Sequence, residues 1–200
     1  MKFHAVDTET TGLPDDPNAR VIEIAISTWD SDKGIEVSSF RSFVQPSVIT
    51  RKGVETMWNI SKIPYNFVES APSPEQLWPM MQSYLEHLRY PVIAWNMPFD
   101  RFMVRRSFMG IDEVTLPGGK NNGLYEQMDL DEDPFYWWDC ACRAYARHRK
   151  SDTLFGLDHA FRVVCAEEDV QHDLPRHRAH SDAWRVGFIV SHMLDAVGKK

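Results

Sequence analysis

KFHAVDTETTGL, residues 2–13, and VIEIAISTW, residues 21–29, are the stretches on which the fold turns. Lys2 to Glu9 alternates apolar and polar side chains with the period of two of a strand. Val21 to Trp29 does so again, with Ile22, Ile24 and Ile26 on one face and Glu23 opposite. A third strand fits Glu36 to Val44. Strands this close in sequence, joined by turns containing Gly and Asp, predict an antiparallel meander of three.

Downstream, a polar, Pro-rich connection leads to Ser73-Pro74, which opens a helix. Gln76 completes a capping box there, and Leu77, Met81, Tyr84, Leu85 and Leu88 form the apolar stripe. An interior proline costs about 3 kcal/mol, so the regular part is expected to start near Pro79. Tyr90 to Trp95 reads as a buried strand, Asn96 as the N-cap of a helix from Met97, and Gly110 as its stop. Residues 112–134, with seven acidic side chains and the turns Gly118-Gly119 and Asn121-Asn122-Gly123, read as an irregular insertion, and Phe135 to Trp138 as one more strand. Helices then fit Ala141 to Arg149, Leu154 to Cys165 and Arg178 to Val197, with a polar loop from Ala166 to Arg176. The sum is a single α/β domain over residues 1–200 with a mixed central sheet, in which functional groups gather at strand ends and helix starts.

Composition narrows the class. Apolar residues make up 43% of the chain, enough for a core, and the net charge of -7 argues against a protein that coats nucleic acid, since that affinity comes from Lys and Arg. An N-terminus reading MKFHAVDTE has no apolar leader region, and no apolar run approaches about 20 residues. A soluble, cytoplasmic protein with no membrane partner is expected. Cys140, Cys142 and Cys165 form neither an even set nor a CxxC pair, so reduced thiols are expected.

The carboxylates carry the chemistry. Asp7 and Glu9 are two apart near the end of the first strand, on the face shared by Phe3 and Ala5, where two anions are costly unless a cation compensates. Taken alone, DxE at a strand end also fits a solvated turn at Thr10-Thr11-Gly12. Asp182 lies on one helical stripe with Val186, Ile189, Val190 and Met193, so it faces the core, either as a metal ligand or in a buried salt bridge to an arginine. Asp100 falls in the first turn of a helix, where the dipole favours a negative side chain even without function. Three such sites in one small domain, without a thiolate and imidazole cluster of zinc spacing, point to oxygen-ligated Mg²⁺ or Mn²⁺.

DTETTGL from Asp7, NMPFDRFM from Asn96 and HRAHSDAW from His177 occur in that order. Together they resemble the three motifs of the DnaQ-like, or DEDDh, 3′→5′ exonucleases of the ribonuclease H-like superfamily. The spacing of five from His177 to Asp182 matches the histidine-containing branch. The resemblance implies a sheet with helices on both faces and two metal ions held by Asp7, Glu9, Asp100 and Asp182. It also implies His177 as general base and release of 5′-mononucleotides. The implied partner is a nucleic-acid 3′ end, single-stranded DNA first, with RNA as the alternative; no polymerase-tethering tail is evident. Thr10, Thr11, Leu13 and Asn96 are the substrate-binding candidates by analogy. Two departures stand out: Trp58-Asn59-Ile60-Ser61 replaces a His-Gly-Ile-Thr-like stretch, and Trp95 stands where relatives often have His. Among the basic residues, Arg143, Arg147, Arg149 and Lys150, interleaved with Tyr145, could track a phosphate backbone or form a solvated face. Arg101 and Arg105 offer the same choice. A catalytically dead binding relative would lack a carboxylate, and none is lacking. A zinc protein would need ligand spacing that Cys140, Cys142 and Cys165 do not have.

Overall fold

The structure is a computed structural model and describes residues 1–88, 90–110 and 140–198. The expected insertion at 112–134 and strand at Phe135–Trp138 lie outside the described residues. Alternating side chains build β1 (Lys2–Thr10), β2 (Val21–Asp30) and β3 (Ile35–Phe43), which pair antiparallel as a meander. The short apolar run gives β4 (Val92–Ala94), parallel to β1, so the sheet order is β3-β2-β1-β4. All ten residues of β2 are buried, Glu23 included, because helices cover both faces.

On one face, Val6, Ile24, Ile26 and Val92 pack against α3 (Pro74–Leu88) and α4 (Met97–Val104). On the other, Phe3, Ala5, Trp29 and Ile93 meet α5 (Ala141–His148), α6 (Leu157–Glu167) and α7 (Ala179–Gly198). The closest approach is at Gly187 of α7. A Cβ there would stand 1.9 Å from Trp29 Nε1, so only glycine lets the helix rest on β2.

The connection after β3 is not merely a connection. It holds α1 (Arg51–Ile60) and α2 (Tyr65–Glu69). Thr50 caps α1 by accepting a hydrogen bond from Gly53 N at 3.0 Å, and the amphipathic helix packs Met57 against Ile22, Ile63 and Val68. Helix α3 begins at Pro74 and runs through Pro79 instead of starting there. Its capping box is formed, Ser73 N donating to Gln76 Oε1 at 2.9 Å. Pro79 is exposed, so water can reach the carbonyl that its missing N–H leaves free. After α4 the chain widens into a π-helical turn, Arg105–Met109, which ends at Gly110 with φ +67°. No described helix is long and apolar enough to cross a membrane.

Candidate active site

Because β1 and β4 are parallel neighbours, the C-terminal ends of both strands open on the same edge, and the start of α7 is laid over it. Asp7 and Glu9 come from β1, Asp100 from the first turn of α4, and Asp182 from the first turn of α7. A register shift between Glu9 and Thr10 breaks the β1–β2 ladder where the acidic pair ends. Ligand atoms of Glu9, His177 and Asp182 lie within 4.8 Å of one another, the only group of three such side chains among the described residues. The cysteines do not assemble a zinc site there: Cys140 and Cys142 touch at 3.3 Å, apart from this group.

Three of the four carboxylates, Asp100, Glu9 and Asp182, are held by partners within the fold. Asp100 Oδ1 accepts from Thr8 N at 3.0 Å and Thr8 Oγ1 at 2.8 Å. Glu9 Oε2 accepts from Ser61 Oγ, which α1 delivers from the chain that replaces the family's His-Gly-Ile-Thr-like stretch. Asp182 Oδ2 accepts from His177 N at 3.2 Å, and its Oδ1 from Arg185 Nη1 at 2.8 Å. The two readings of Asp182 therefore coexist: it is paired to an arginine and faces Glu9 and His177.

Burial dominates the electrostatics. Glu9, Asp100 and Asp182 are 8%, 4% and 8% exposed. Asp7, though part of its surface is open, is held well above the usual carboxylate range by desolvation, then by Asp100, Asp182, Glu9 and Glu23. Burial raises Glu9 to about 7 against the opposing bond from Ser61, and Asp100 to about 7 against those from Thr8. Asp182 is also raised, burial outweighing the attraction of Arg185 and His177. Four hard oxygen donors that resist ionising side by side fit divalent cations such as Mg²⁺ or Mn²⁺, whose charge would reverse that cost.

His177 is exposed and has φ +54°, a left-handed conformation that directs the chain back toward Asp182. The next residue, Arg178, meets Glu23 of β2 through Nε at 3.1 Å and Nη2 at 3.0 Å, and Ala179 N donates to the same carboxylate at 3.2 Å. Neither this ion pair nor Ser61 was visible as a site feature in the sequence. The hydroxyl that Ser61 shares with the Thr of the family stretch was the one available signal.

The substrate candidates divide. Leu13 is 65% exposed, and Thr10 Oγ1 donates to Gly12 O at 2.8 Å. Thr11 is buried and accepts from Arg20 N at 2.9 Å, so it holds the β1–β2 turn and does not present its side chain at the surface. That turn is braced from the π-helical segment. Arg106 donates to Pro14 O and Asp16 O at 3.0 and 2.8 Å, and Val21 N donates to Ser107 Oγ at 2.9 Å. Asn96 is exposed at the start of α4, but its side chain does not cap the helix. Trp95 is a core residue, its Nε1 donating to Phe155 O at 3.1 Å. Of the basic candidates, Arg101 is 1% exposed and Arg149 forms a two-point ion pair with Glu167 at 2.7 and 2.6 Å, while Arg147 and Lys150 are exposed and the interleaved Tyr145 is buried.

Comparison with known proteins bears on the family and the fold. The sequence matches the family model RNase_T, described as exonuclease, over residues 5–186. No curated protein matches it. Among solved structures, cell-death related nuclease 4 (CRN-4) is 16% identical with a TM-score of 0.64, the match covering 98% of this chain and 64% of that one. The nuclease domain of 3′hExo, a DEDDh family member bound to rAMP, is 13% identical with a TM-score of 0.69, covering 98% and 92%. Pop2p of S. pombe, in a form binding Mg²⁺ and Mn²⁺, is 13% identical with a TM-score of 0.66, covering 96% and 82%. These likenesses establish a shared ribonuclease H-like exonuclease fold.

Proposed function

The chain belongs to the RNase_T exonuclease family, and from that premise we propose that it is a metal-dependent 3′→5′ exonuclease releasing 5′-mononucleotides from single-stranded ends of DNA or RNA. The observation that carries this reading is the convergence of Glu9, His177 and Asp182 within 4.8 Å, beside Asp7 and Asp100. Asp7, Glu9, Asp100 and Asp182 would hold two divalent cations, which would supply water activation and charge neutralisation at the scissile phosphate and the leaving 3′-oxygen. His177 takes the proton of the attacking water; it is open to solvent on one side and tied to Asp182 by its backbone on the other. Thr10 and exposed Leu13 receive the terminal nucleotide, Thr11 fixes the turn beneath them, and Asn96 contacts the strand near Asp100. A relative bound to rAMP and another binding Mg²⁺ and Mn²⁺ support this assignment.

The test is a time course on matched 5′-labelled DNA and RNA oligomers, single- and double-stranded, with Mg²⁺, Mn²⁺ or chelator. Stepwise shortening that stops with chelator is expected, and circular single strands survive. Rapid cutting of a circle would show an endonuclease and overturn the reading.

A further inference from the structure

We propose that the Glu23–Arg178 ion pair positions the general base: it pins the turn carrying His177 to the strand that also aligns Glu9. This rests on the reading of His177 as base. Glu23 is 5% exposed and sits directly across the β1–β2 ladder from Glu9. Its carboxylate takes three hydrogen bonds, from Arg178 Nε, Arg178 Nη2 and Ala179 N, all from the two residues that follow His177. The ion pair itself lines a half-open cavity of about 410 Å³, together with Arg41, Ser42, Phe43, Pro175, His180 and Ser181. The turn rests on the ion pair, on the bond from His177 N to Asp182 at 3.2 Å, and on the Phe43 ring beneath the Arg178 guanidinium, 5.4 Å from its centroid.

The arrangement places three things in one frame. β1 holds Glu9, β2 holds Glu23 beside it, and Glu23 holds the residues that fix where His177 stands. A planar guanidinium gripping a carboxylate at two points fixes direction as well as distance, which a lysine cannot do. The left-handed backbone at His177 makes this anchor matter more. A non-glycine residue leaves that conformation readily unless its neighbours hold it. A shift of about 1 Å in a reacting group can cost about 10²-fold in rate.

The experiment is a double-mutant cycle read by single-turnover cleavage of a 5′-labelled oligomer at saturating Mg²⁺ and substrate. Its variants are Arg178→Gln, His177→Asn and the two together; asparagine is used at 177 because it tolerates the left-handed backbone. Arg178→Gln is expected to slow the chemical step about 10- to 100-fold, by analogy with lost outer-shell partners, leaving substrate KM and the Mg²⁺ requirement within about twofold. In the His177→Asn background the same change is expected to cost less than about twofold, because the base it positions is gone. Arg178→Lys should recover part of the rate.

Since Arg178→Gln strands a buried carboxylate, Glu23→Gln/Arg178→Gln is measured beside it, with Tm for each. The neutral pair should melt near the wild type and still be slow. An equal loss in both His177 backgrounds, or a wild-type rate in the neutral pair, would overturn the proposal. His177→Asn at the wild-type rate would instead overturn the base assignment itself.

Discussion

Asp182 carries two roles in one side chain, and substitution by asparagine separates them. Breaking a buried pair commonly costs about 3–5 kcal/mol, but Arg185 keeps two other acceptors, Asp158 Oδ1 at 3.2 Å and Leu174 O at 2.6 Å. The substitution also relieves repulsion within a cluster whose carboxyls are all raised. Asp182→Asn is therefore expected to leave the metal-free Tm within about 3 °C, less than about 1 kcal/mol for a domain of this size. Activity at saturating Mg²⁺ should fall at least about 100-fold, since even outer-shell partners of a metal cost 10–100-fold. An early-melting variant that keeps its turnover would sink the ligand assignment. His177→Asn should slow the chemical step about 10²- to 10⁴-fold, as loss of a general base does. His180→Ala should be nearly silent, because His180 lies toward Glu36, 3.7 Å away, and the cavity beyond Arg178. Equal losses in the two variants would place the base on the wrong histidine.

For the elements, the tightest constraint is the seat of α7 on β2. Alanine is the better helix former by about 1 kcal/mol, yet Gly187→Ala puts a methyl into the Trp29 indole. The net effect is expected to be destabilising by about 1–3 kcal/mol, the cost of overpacking, with loss of activity because α7 carries Asp182. A denaturation midpoint at or above the wild type would show that α7 can ride higher without harm. Much of this layer was legible in sequence: alternation gave the three antiparallel strands, and the helical stripe through Val186, Ile189 and Val190 placed Asp182 toward the core. What stayed hidden was polar and distant. Helix α1, though amphipathic, lies in the stretch that reads as a polar connection, and the π-helical turn that braces the segment from Pro14 to Val21 has no simple sequence mark. Arg101 reads as a surface cation only until α4 is docked and buries it. The Glu23–Arg178 pair joins residues 155 apart, which no local pattern encodes.

The whole molecule should answer to pH and metal together. In the metal-free fold, Glu9 and Asp100 keep their protons up to about 7, whereas the unfolded chain releases them near its ordinary carboxylate values. Folded protein thus binds more protons between about 4 and 7, and stability falls as pH rises through that window. His4, lowered to about 4 by burial, works the other way: stability falls as pH drops from 6.5 toward 4. With Asp7 and Asp182 also raised, the carboxyls dominate, so the metal-free Tm should be higher at pH 5.5 than at pH 8. Mg²⁺ should raise Tm most at pH 8, where its ligands are ionised. Thermal melts at the two pH values decide this, and a metal-induced shift of equal size at both would contradict it. The site also has a history in time. Asp7 and Glu9 are synthesised well before the base and the fourth carboxylate, which belong to the turn at His177 and the helix that follows it, so the nascent chain cannot cut until that segment has emerged and docked. On refolding, sheet and helix signals should return before hydrolysis does, because the active centre joins residues from both ends of the described chain.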